Sequence, residues 1–223
     1  MVTPNPGRGR PARMPRDLRR AQVLAVAQEL FTAEGFHHVS MDDIADRAEV
    51  SKPVLYRHFP SKLDLYLTVV DARGADLLST VDTAIAEVSD PRAAITGVVL
   101  AYLEFVDRTG EAAALLFESD VMHDADVRAR VERATDLVTE RLEQVLSRVP
   151  GLSPQPRTAA VLAPCLAAMA QQAATRRLRD PQAPDARRTA ALVTRLAWGG
   201  IQDFLPASAE GERSAVPVAS DLG

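Results

Sequence analysis

Residues 40–62 read SMDDIADRAEVSKPVLYRHFPSK and contain three helix starts in quick succession. Ser40 and Asp43 have the spacing of a capping box, in which the hydroxyl accepts from the N3 amide and the carboxylate accepts from the serine amide. Ser51 and Ser61 are placed to begin the next two helices. The starts at Ser51 and Ser61 are only ten residues apart, so the helix between them has barely two turns. Such a helix is marginal on its own, so neighbouring elements must hold it.

The apolar residues of this stretch recur on one side of each short helix, which predicts a helix-turn-helix. Those expected to hold the two helices together are Ile44, Ala45, Ala48, Val50, Leu55 and Phe59. The second helix of such a pair fits the major groove of DNA, with its N-terminal part nearest the bases. A capped pair of helices in any bundle would show a similar pattern, so the alternative is an interaction bundle that does not bind DNA.

Seven side chains are candidate DNA contacts, five on the outer faces of the second helix of the pair and two, Ser40 and Lys62, at the starts of the helices before and after it. Lys52, Val54 and Arg57 are predicted to read base edges, because the cations can donate to guanine and the valine can contact a thymine methyl. The other four are predicted to bind backbone phosphates, and they are Ser40, Tyr56, His58 and Lys62. Tyr56 and His58 also have plainer interpretations, as a half-buried aromatic residue and a solvated surface residue.

The composition of the whole chain favours helices. The 223 residues are 47% hydrophobic but only 4% aromatic, and abundant alanine favours helix over strand. Residues 1–62 hold ten basic and seven acidic side chains, whereas the rest of the chain holds 16 and 23. A basic N-terminal part on an acidic body is expected of a small DNA-binding domain joined to a larger one, with chance as the alternative.

Capping residues, glycines and prolines predict an all-α fold of about nine helices with no strand. Residues 1–15 are expected to form a disordered basic arm, 16–62 the DNA-binding domain, 63–205 a body of longer helices and 206–223 a flexible tail. The predicted helices cover about 16–34, 40–48, 51–59, 61–87, 90–110, 111–121, 124–149, 153–180 and 185–204. Pro164 falls inside the eighth helix, which predicts a kink or a later start.

The sequence lacks the residues that several classes of protein require. No apolar run approaches the ~20 residues that span a bilayer, and no apolar segment follows the basic N-terminus, so a cytoplasmic location without a membrane is expected. Cys165 is the only cysteine and the four histidines are not at ligand spacing. No nucleophile elbow or phosphate loop occurs, so no metal, cofactor or catalytic residue is predicted. A helical acyl-CoA hydrolase is the enzymatic alternative.

Residues 50–66, VSKPVLYRHFPSKLDLY, together with FTAEGF at 31–36 and MDDIA at 41–45, closely resemble the signature of the TetR family of transcription regulators. The resemblance implies a three-helix DNA-binding domain that carries the seven contacts above. It implies that residues 63–205 form a ligand-binding and dimerisation domain, joined through helix 4. It also implies a homodimer formed through the last two long helices, a palindromic operator and a hydrophobic small-molecule effector.

Three further pieces, at 13–20, 116–120 and 197–200, resemble the actinobacterial fatty-acid-synthase regulators within that family. That subgroup implies an effector of the long-chain acyl-CoA type, a role in lipid metabolism and a protein that can activate as well as repress. Pro164 and the 149–157 linker depart from the subgroup's pattern. The alternative is a TetR-type regulator of efflux or catabolism genes that senses a drug-like or other apolar molecule.

Large apolar residues of the later helices are the candidates for lining the effector site. They are Tyr102, Phe105, Leu116, Phe117, Met122, Met169 and Trp198. An acyl chain in an apolar tunnel gains roughly 0.8 kcal/mol per buried methylene. The cations available for a charged head group are Arg108, Arg128, Arg130, Arg176 and Arg177. The plainer interpretation is core packing for the apolar residues and a solvated helix face for the arginines.

Overall fold

The computed structural model describes residues 14–86, 88–118, 121–149, 152, 157–180 and 182–202, and over them the chain is all-helical. Most of the predicted arm and the whole predicted tail lie outside the described residues. None of the helices described combines the length and the hydropathy that a membrane crossing requires. The helices are α1 Arg16–Glu34, α2 Met41–Arg47, α3 Lys52–His58, α4 Lys62–Ile85, α5 Pro91–Thr109, α6 Ala114–Phe117, α7 Ala125–Leu146, α8 Thr158–Arg179 and α9 Ala186–Gln202, with a 3-10 turn, Gly110–Ala113, before α6.

The turn between α2 and α3 is a Schellman motif. The Val50 amide donates to the Ala45 carbonyl at 3.0 Å, and the Glu49 amide donates to the Asp46 carbonyl at 3.1 Å. Glu49 holds the left-handed position of the motif, with a φ of 52°, which glycine adopts more readily than glutamate. The two bonds satisfy carbonyls at the end of α2 and direct the chain sharply into α3.

The first three helices enclose an apolar core of their own. α1 contributes Val23, Ala27 and Phe31, which lie on one helix face. The facing residues are Ile44, Ala45, Ala48, Leu55 and Phe59, all buried, with Val50 partly buried beside them. The Gln22 side-chain amide also donates to the Ala48 carbonyl at 3.1 Å, which ties α1 to the turn. The six residues expected to hold the helix pair together therefore do so.

α4 is attached to the first three helices at its first residue. Lys62 Nζ donates to the carbonyls of Phe36 and Val39 at 2.7 and 2.8 Å, and it lies 4.3 Å from the Phe36 ring centroid. Behind this lysine the Tyr66 ring packs edge-on against Phe31 and Phe36, with 5.1 Å between centroids in each pair. These contacts join the start of α4 directly to α1 and to the loop between α1 and α2.

α4 and α7 run parallel and in close contact. Asp82 Oδ1 accepts from Arg141 Nε at 2.8 Å, and a Cβ added to Gly74 would lie 3.0 Å from the Cβ of Ala134. Gly74 faces Ala134 and the later Asp82 contacts the later Arg141, so the two helices run in the same direction. A glycine inside a helix costs about 1 kcal/mol relative to alanine, and here the close approach of α7 accounts for its presence.

α5 is the central helix of the body and contacts α4, α8 and α9. It begins as predicted, because the Asp90 carboxylate accepts from the Ala93 amide at 2.9 Å and Pro91 follows. It ends as predicted at Gly110, whose φ is 55°. Its buried residues are Ala94, Ile95, Val98, Val99, Ala101, Tyr102, Leu103, Phe105 and Val106. This spread is typical of a helix enclosed by its neighbours.

Several predicted helix bounds differ from the structure. The predicted helix at 111–121 is a 3-10 turn followed by a single α-helical turn, and Glu118 leaves helical geometry directly after it. α7 ends at Leu146, and the amides of Arg148 and Val149 then bond three residues back, which tightens the last turn. α8 begins at Thr158, later than the predicted 153, while 153–156 lie outside the described residues. Pro164 is inside α8, which continues past it to Arg179.

Candidate nucleic-acid interface

α3 turns one side to the core and the other side outward. Leu55 is fully buried, and Phe59, one turn later, closes the same side. The outward side chains are Lys52, Tyr56 and Arg57, which are exposed, and Val54 and His58, which are half-buried. Ser51 occupies the N-cap position as predicted, but its hydroxyl makes no capping hydrogen bond. Every α3 residue predicted to contact DNA therefore lies away from the buried side.

In the free protein Lys52 is held by an acid of the preceding helix. Its Nζ lies 2.7 Å from Oδ2 of Asp42, and both side chains are more than half exposed. The hydrogen bond to Asp42, followed by the charge of that carboxylate, raises the pKa of Lys52, so the amine stays protonated. An exposed pair of this kind contributes little stability. A phosphate or a guanine can therefore replace the carboxylate at small cost.

The Ser40 hydroxyl is fully engaged at the start of α2. It accepts from the Asp43 amide at 3.1 Å and donates to Asp43 Oδ2 at 2.6 Å. The same carboxylate oxygen accepts from the Ser40 amide at 2.8 Å, so the predicted capping box is present. These hydrogen bonds lower the pKa of Asp43. A phosphate contact by the hydroxyl requires Ser40 to give up its bond to Asp43, and that contact stays a prediction.

Lys62 has a structural role that the sequence did not indicate. Two of its three ammonium hydrogens are used by the Phe36 and Val39 carbonyls, which are 26 and 23 residues away in sequence. One hydrogen remains for a phosphate at the start of α4. The phosphate contact stays a prediction, whereas the observed hydrogen bonds of Lys62 stabilise the loop between α1 and α2.

A groove of about 590 Å³ lies between the start of α1 and α3. Its charged and titratable lining residues are Arg16, Arg19, Glu49, Arg57 and His58. Burial, followed by the charges of Arg16, Arg57, Arg20 and Arg19, lowers the pKa of His58, because both effects disfavour the imidazolium. Arg16 and Arg19 were not among the predicted contacts. Their signal in the sequence is the i, i+3 spacing, which places both on one face of α1.

Four of the seven predicted effector residues come together beside α5. The Phe117 ring centroid lies 6.0 Å from those of Tyr102 and Phe105, and Leu116 is buried on the same short helix. Tyr102 is 1% exposed, burial raises its pKa, and its hydroxyl has no hydrogen-bond partner in the described part of the chain. Buried tyrosine hydroxyls usually have a partner, so this one is an exception among the buried polar groups.

The remaining three predicted effector residues are half-buried. Met122 and Trp198 pack against the main core. Met169 lines an open apolar groove of about 460 Å³ at the end of α8 and the start of α9, and none of the four clustered residues lines that groove. The effector role of all seven stays a prediction, and Met169 belongs to a different surface.

The five arginines considered for a charged head group are all paired with acids. Arg108 binds Asp76 of α4 at 2.8 Å, and Arg177 of α8 binds Asp107 of α5 at 3.0 Å. The other pairs are Arg128 with Glu132, Arg130 with Asp71 and Arg176 with Asp180. An anion bound at any of these arginines would have to compete with a carboxylate.

The sequences of known proteins match this chain in two ways. Residues 23–69 match the family model described as "Bacterial regulatory proteins, tetR family". The HTH-type transcriptional activator FasR of Mycolicibacterium smegmatis is 37% identical over 198 residues, which are 89% of this chain and 90% of that protein. The regulator EthR of the same organism is 34% identical over 114 residues, 50% of this chain and 52% of that protein.

Solved structures share the fold. A TetR-like regulator from Rhodococcus sp. RHA1 is 28% identical with a TM-score of 0.68, covering 85% of this chain and 99% of that one. FadR from Bacillus subtilis, solved in complex with stearoyl-CoA, has a TM-score of 0.70 at 15% identity, covering 81% and 98%. At that identity the likeness concerns the fold alone. Together with the outward face of α3, the match to FasR over most of both proteins identifies the chain as a DNA-binding transcription regulator that belongs to the TetR family.

Proposed function

We propose that this regulator binds a palindromic operator as a homodimer, and that a hydrophobic effector in its helical body changes its affinity for DNA. The observation that carries the proposal is the outer face of α3, where the exposed cations Lys52 and Arg57 flank Tyr56. We place the protein in the cytoplasm with the DNA. We assign it no catalytic step, since its relatives are named as transcription regulators.

The DNA contacts are divided by chemistry. Lys52, Val54 and Arg57 face the bases, where lysine and arginine donate to guanine and valine contacts a thymine methyl. Phosphate oxygens are bound by Ser40, Tyr56, His58 and Lys62. The exposure of Tyr56 supports this assignment. The residue is 47% exposed, so much of its ring does not pack against the core. Phosphate contacts position the domain, and the three base contacts select the site.

The dimer is proposed to form through α8 and α9. Leu192 and Leu196, four residues apart on α9, are 47% and 72% exposed, and Val161 on α8 is 62% exposed. Exposed large apolar residues at helical spacing favour coverage by another surface. Pairing of the same face from two copies produces a two-fold axis, and a two-fold protein calls for two inverted half-sites in the DNA.

The effector is proposed to bind beside α5 at the Tyr102, Phe105 and Phe117 rings. Phe117 lies on a helix of four residues and is only partly buried, so it can be displaced at small cost. A long-chain acyl-CoA is the first candidate because of the likeness to the fatty-acid-synthase regulators. A drug-like apolar molecule is the second candidate, since the ring cluster itself would suit either.

The effector claim is tested on the protein–DNA complex. A duplex recovered from a random library by the purified protein is labelled, and stearoyl-CoA is titrated while fluorescence anisotropy reports DNA affinity. We expect affinity to change at least fivefold in one direction, the lower range of measured allosteric couplings. Free CoA is the matched control and should have no such effect. An unchanged affinity with stearoyl-CoA would contradict the acyl-CoA assignment, and an equal effect of free CoA would contradict an apolar site.

A further inference from the structure

We propose that the groove between the start of α1 and α3 is a second phosphate site for DNA, with Arg16 and Arg19 as backbone contacts. The proposal extends the interface of α3 and rests on the proposed function. It assigns a binding role to the beginning of α1, where the sequence pattern placed none of the predicted contacts.

The groove is open and lined by cations from two helices. Arg16 and Arg19 enter from α1, and Arg57 and His58 enter from α3. Its volume, about 590 Å³, admits a phosphate with its sugar. Two lining residues, Val54 and Arg57, also belong to the outer face of α3. A phosphate in the groove would therefore be continuous with a duplex docked on that helix.

The arginines of this groove form no ion pair with any residue that the structure describes. Nine ion pairs are present among the described residues, and none of them includes Arg16, Arg19 or Arg57. The acids close by are Glu49, which lines the groove, and Asp17 in the first turn of α1. The pKa of His58 is lowered first by burial and then by the charges of the arginines around it, which agrees with their closeness in the groove. Like charges held together without partners repel each other, and an incoming phosphate removes that repulsion.

The chemistry of the groove favours DNA over a segment of this chain. Residues 1–13, which precede the groove in sequence, carry Arg8, Arg10 and Arg13 and no acid, so the groove would repel them. A helix in the major groove is flanked by the two sugar-phosphate strands. The elements beside a recognition helix therefore meet phosphates, and α1 is such an element here.

The test is the salt dependence of binding to a labelled DNA duplex of mixed sequence. Each phosphate neutralised contributes about 0.9 to the slope of log affinity against log salt. In the proposed homodimer the variant Arg16→Ala/Arg19→Ala removes four cations, so the magnitude of the slope should fall by about 3.6 and binding should weaken by at least about tenfold at low salt. Arg16→Lys/Arg19→Lys keeps both charges and should restore the slope.

The matched control removes two exposed arginines at the end of the body far from α3. Arg92→Ala/Arg148→Ala should leave the slope unchanged, since Arg92 lies in the first turn of α5 and Arg148 follows α7. An unchanged slope in the Arg16→Ala/Arg19→Ala variant would overturn the phosphate site. If Arg57→Ala weakens binding in the same experiment, the proposed function survives that result. If Arg57→Ala also has no effect, the α3 interface itself is contradicted.

Discussion

At the scale of single residues, the titration of His58 gives the first prediction. Its pKa lies below the usual 6.5, because of burial and then the charges of Arg16, Arg57, Arg20 and Arg19. Above pH 6.5 the imidazole is neutral in both the folded and unfolded chain, so it has no effect. As the pH falls through 6.5, the unfolded chain binds the proton more tightly and the free fold loses stability.

DNA reverses the penalty on protonation, because phosphates near the imidazole favour its charged form. Binding should therefore take up a proton at His58, and DNA affinity should rise as the pH is lowered from about 8 to about 6. Anisotropy titrations across this range, at constant ionic strength, measure the effect. His58→Gln should flatten the pH dependence; equal slopes for both proteins would show that His58 does not meet phosphate.

The second residue-scale prediction concerns the buried Tyr102 hydroxyl. An unpaired buried hydroxyl costs about 1 to 3 kcal/mol. Tyr102→Phe should therefore raise the free energy of unfolding by about 1 kcal/mol. If the effector accepts a hydrogen bond there, the same change should weaken the stearoyl-CoA response. Denaturant melts and effector titrations measure the two quantities.

The control for this prediction is Phe105→Leu, which loses packing at a fully buried ring. It should lower both the stability and the effector response. If Tyr102→Phe raises the stability and weakens the effector response, the Tyr102 hydroxyl is a ligand contact. A Tyr102→Phe protein that is more stable and responds normally would leave it as an unsatisfied core group.

Residue roles could be predicted from sequence where they depend on near neighbours. The bond between Ser40 and Asp43 follows from a spacing of three, and the inward Leu55 and Phe59 follow from a spacing of four. The carbonyl partners of Lys62 could not be predicted, because they come from a loop more than 20 residues earlier. The ion pair of Lys52 with Asp42 likewise depends on how α3 crosses α2.

At the scale of elements, the contact between α4 and α7 gives the third prediction. Gly74→Ala would gain up to about 1 kcal/mol in helix propensity, but the new Cβ would lie 3.0 Å from that of Ala134. We expect little gain or a loss of stability in the natural background. In an Ala134→Gly background the same change should be stabilising. Thermal melts of the natural protein, the two single variants and the double variant give the coupling free energy between the two positions. Additive effects would contradict the close packing.

The ends of elements were predicted best where a capping residue or glycine marks them. Asp90 with Pro91 and Gly110 bound α5 as expected. The stretch after Gly110 has helix-forming residues but no cap, so its single α-helical turn could not be separated by sequence from a longer helix. The parallel contact of α4 with α7 joins residues about 60 positions apart, and periodicity carries no information at that range.

At the scale of the whole molecule, the exposed stripe on α9 gives the fourth prediction. Leu196→Glu places a charge where the proposed dimer buries a side chain that is 72% exposed in one chain. We expect sedimentation equilibrium to show a monomer with weakened DNA binding. Leu18→Glu is the control for the oligomeric state alone, because Leu18 is 60% exposed on α1, outside the proposed dimer interface but beside Arg16 and Arg19. A dimer that survives Leu196→Glu would place the interface elsewhere.

A short path connects the proposed effector site with the DNA-binding helices. The 3-10 turn Gly110–Ala113 lies directly before α6, and it contacts α1. Displacement of Phe117 by an effector would therefore act on the helix that lines the second phosphate site. The sequence identified the helices at both ends of this path, whereas the contact between them appears only in the folded chain.

Recognition of DNA sequence through α3 can be tested by selecting DNA from a random duplex library with the purified protein. We expect enrichment of one inverted repeat, with two half-sites related by the dimer axis. The variant Lys52→Ala/Arg57→Ala should enrich nothing, since these side chains read the bases. No enrichment by the natural protein, or the same repeat recovered by the variant, would contradict sequence recognition through α3.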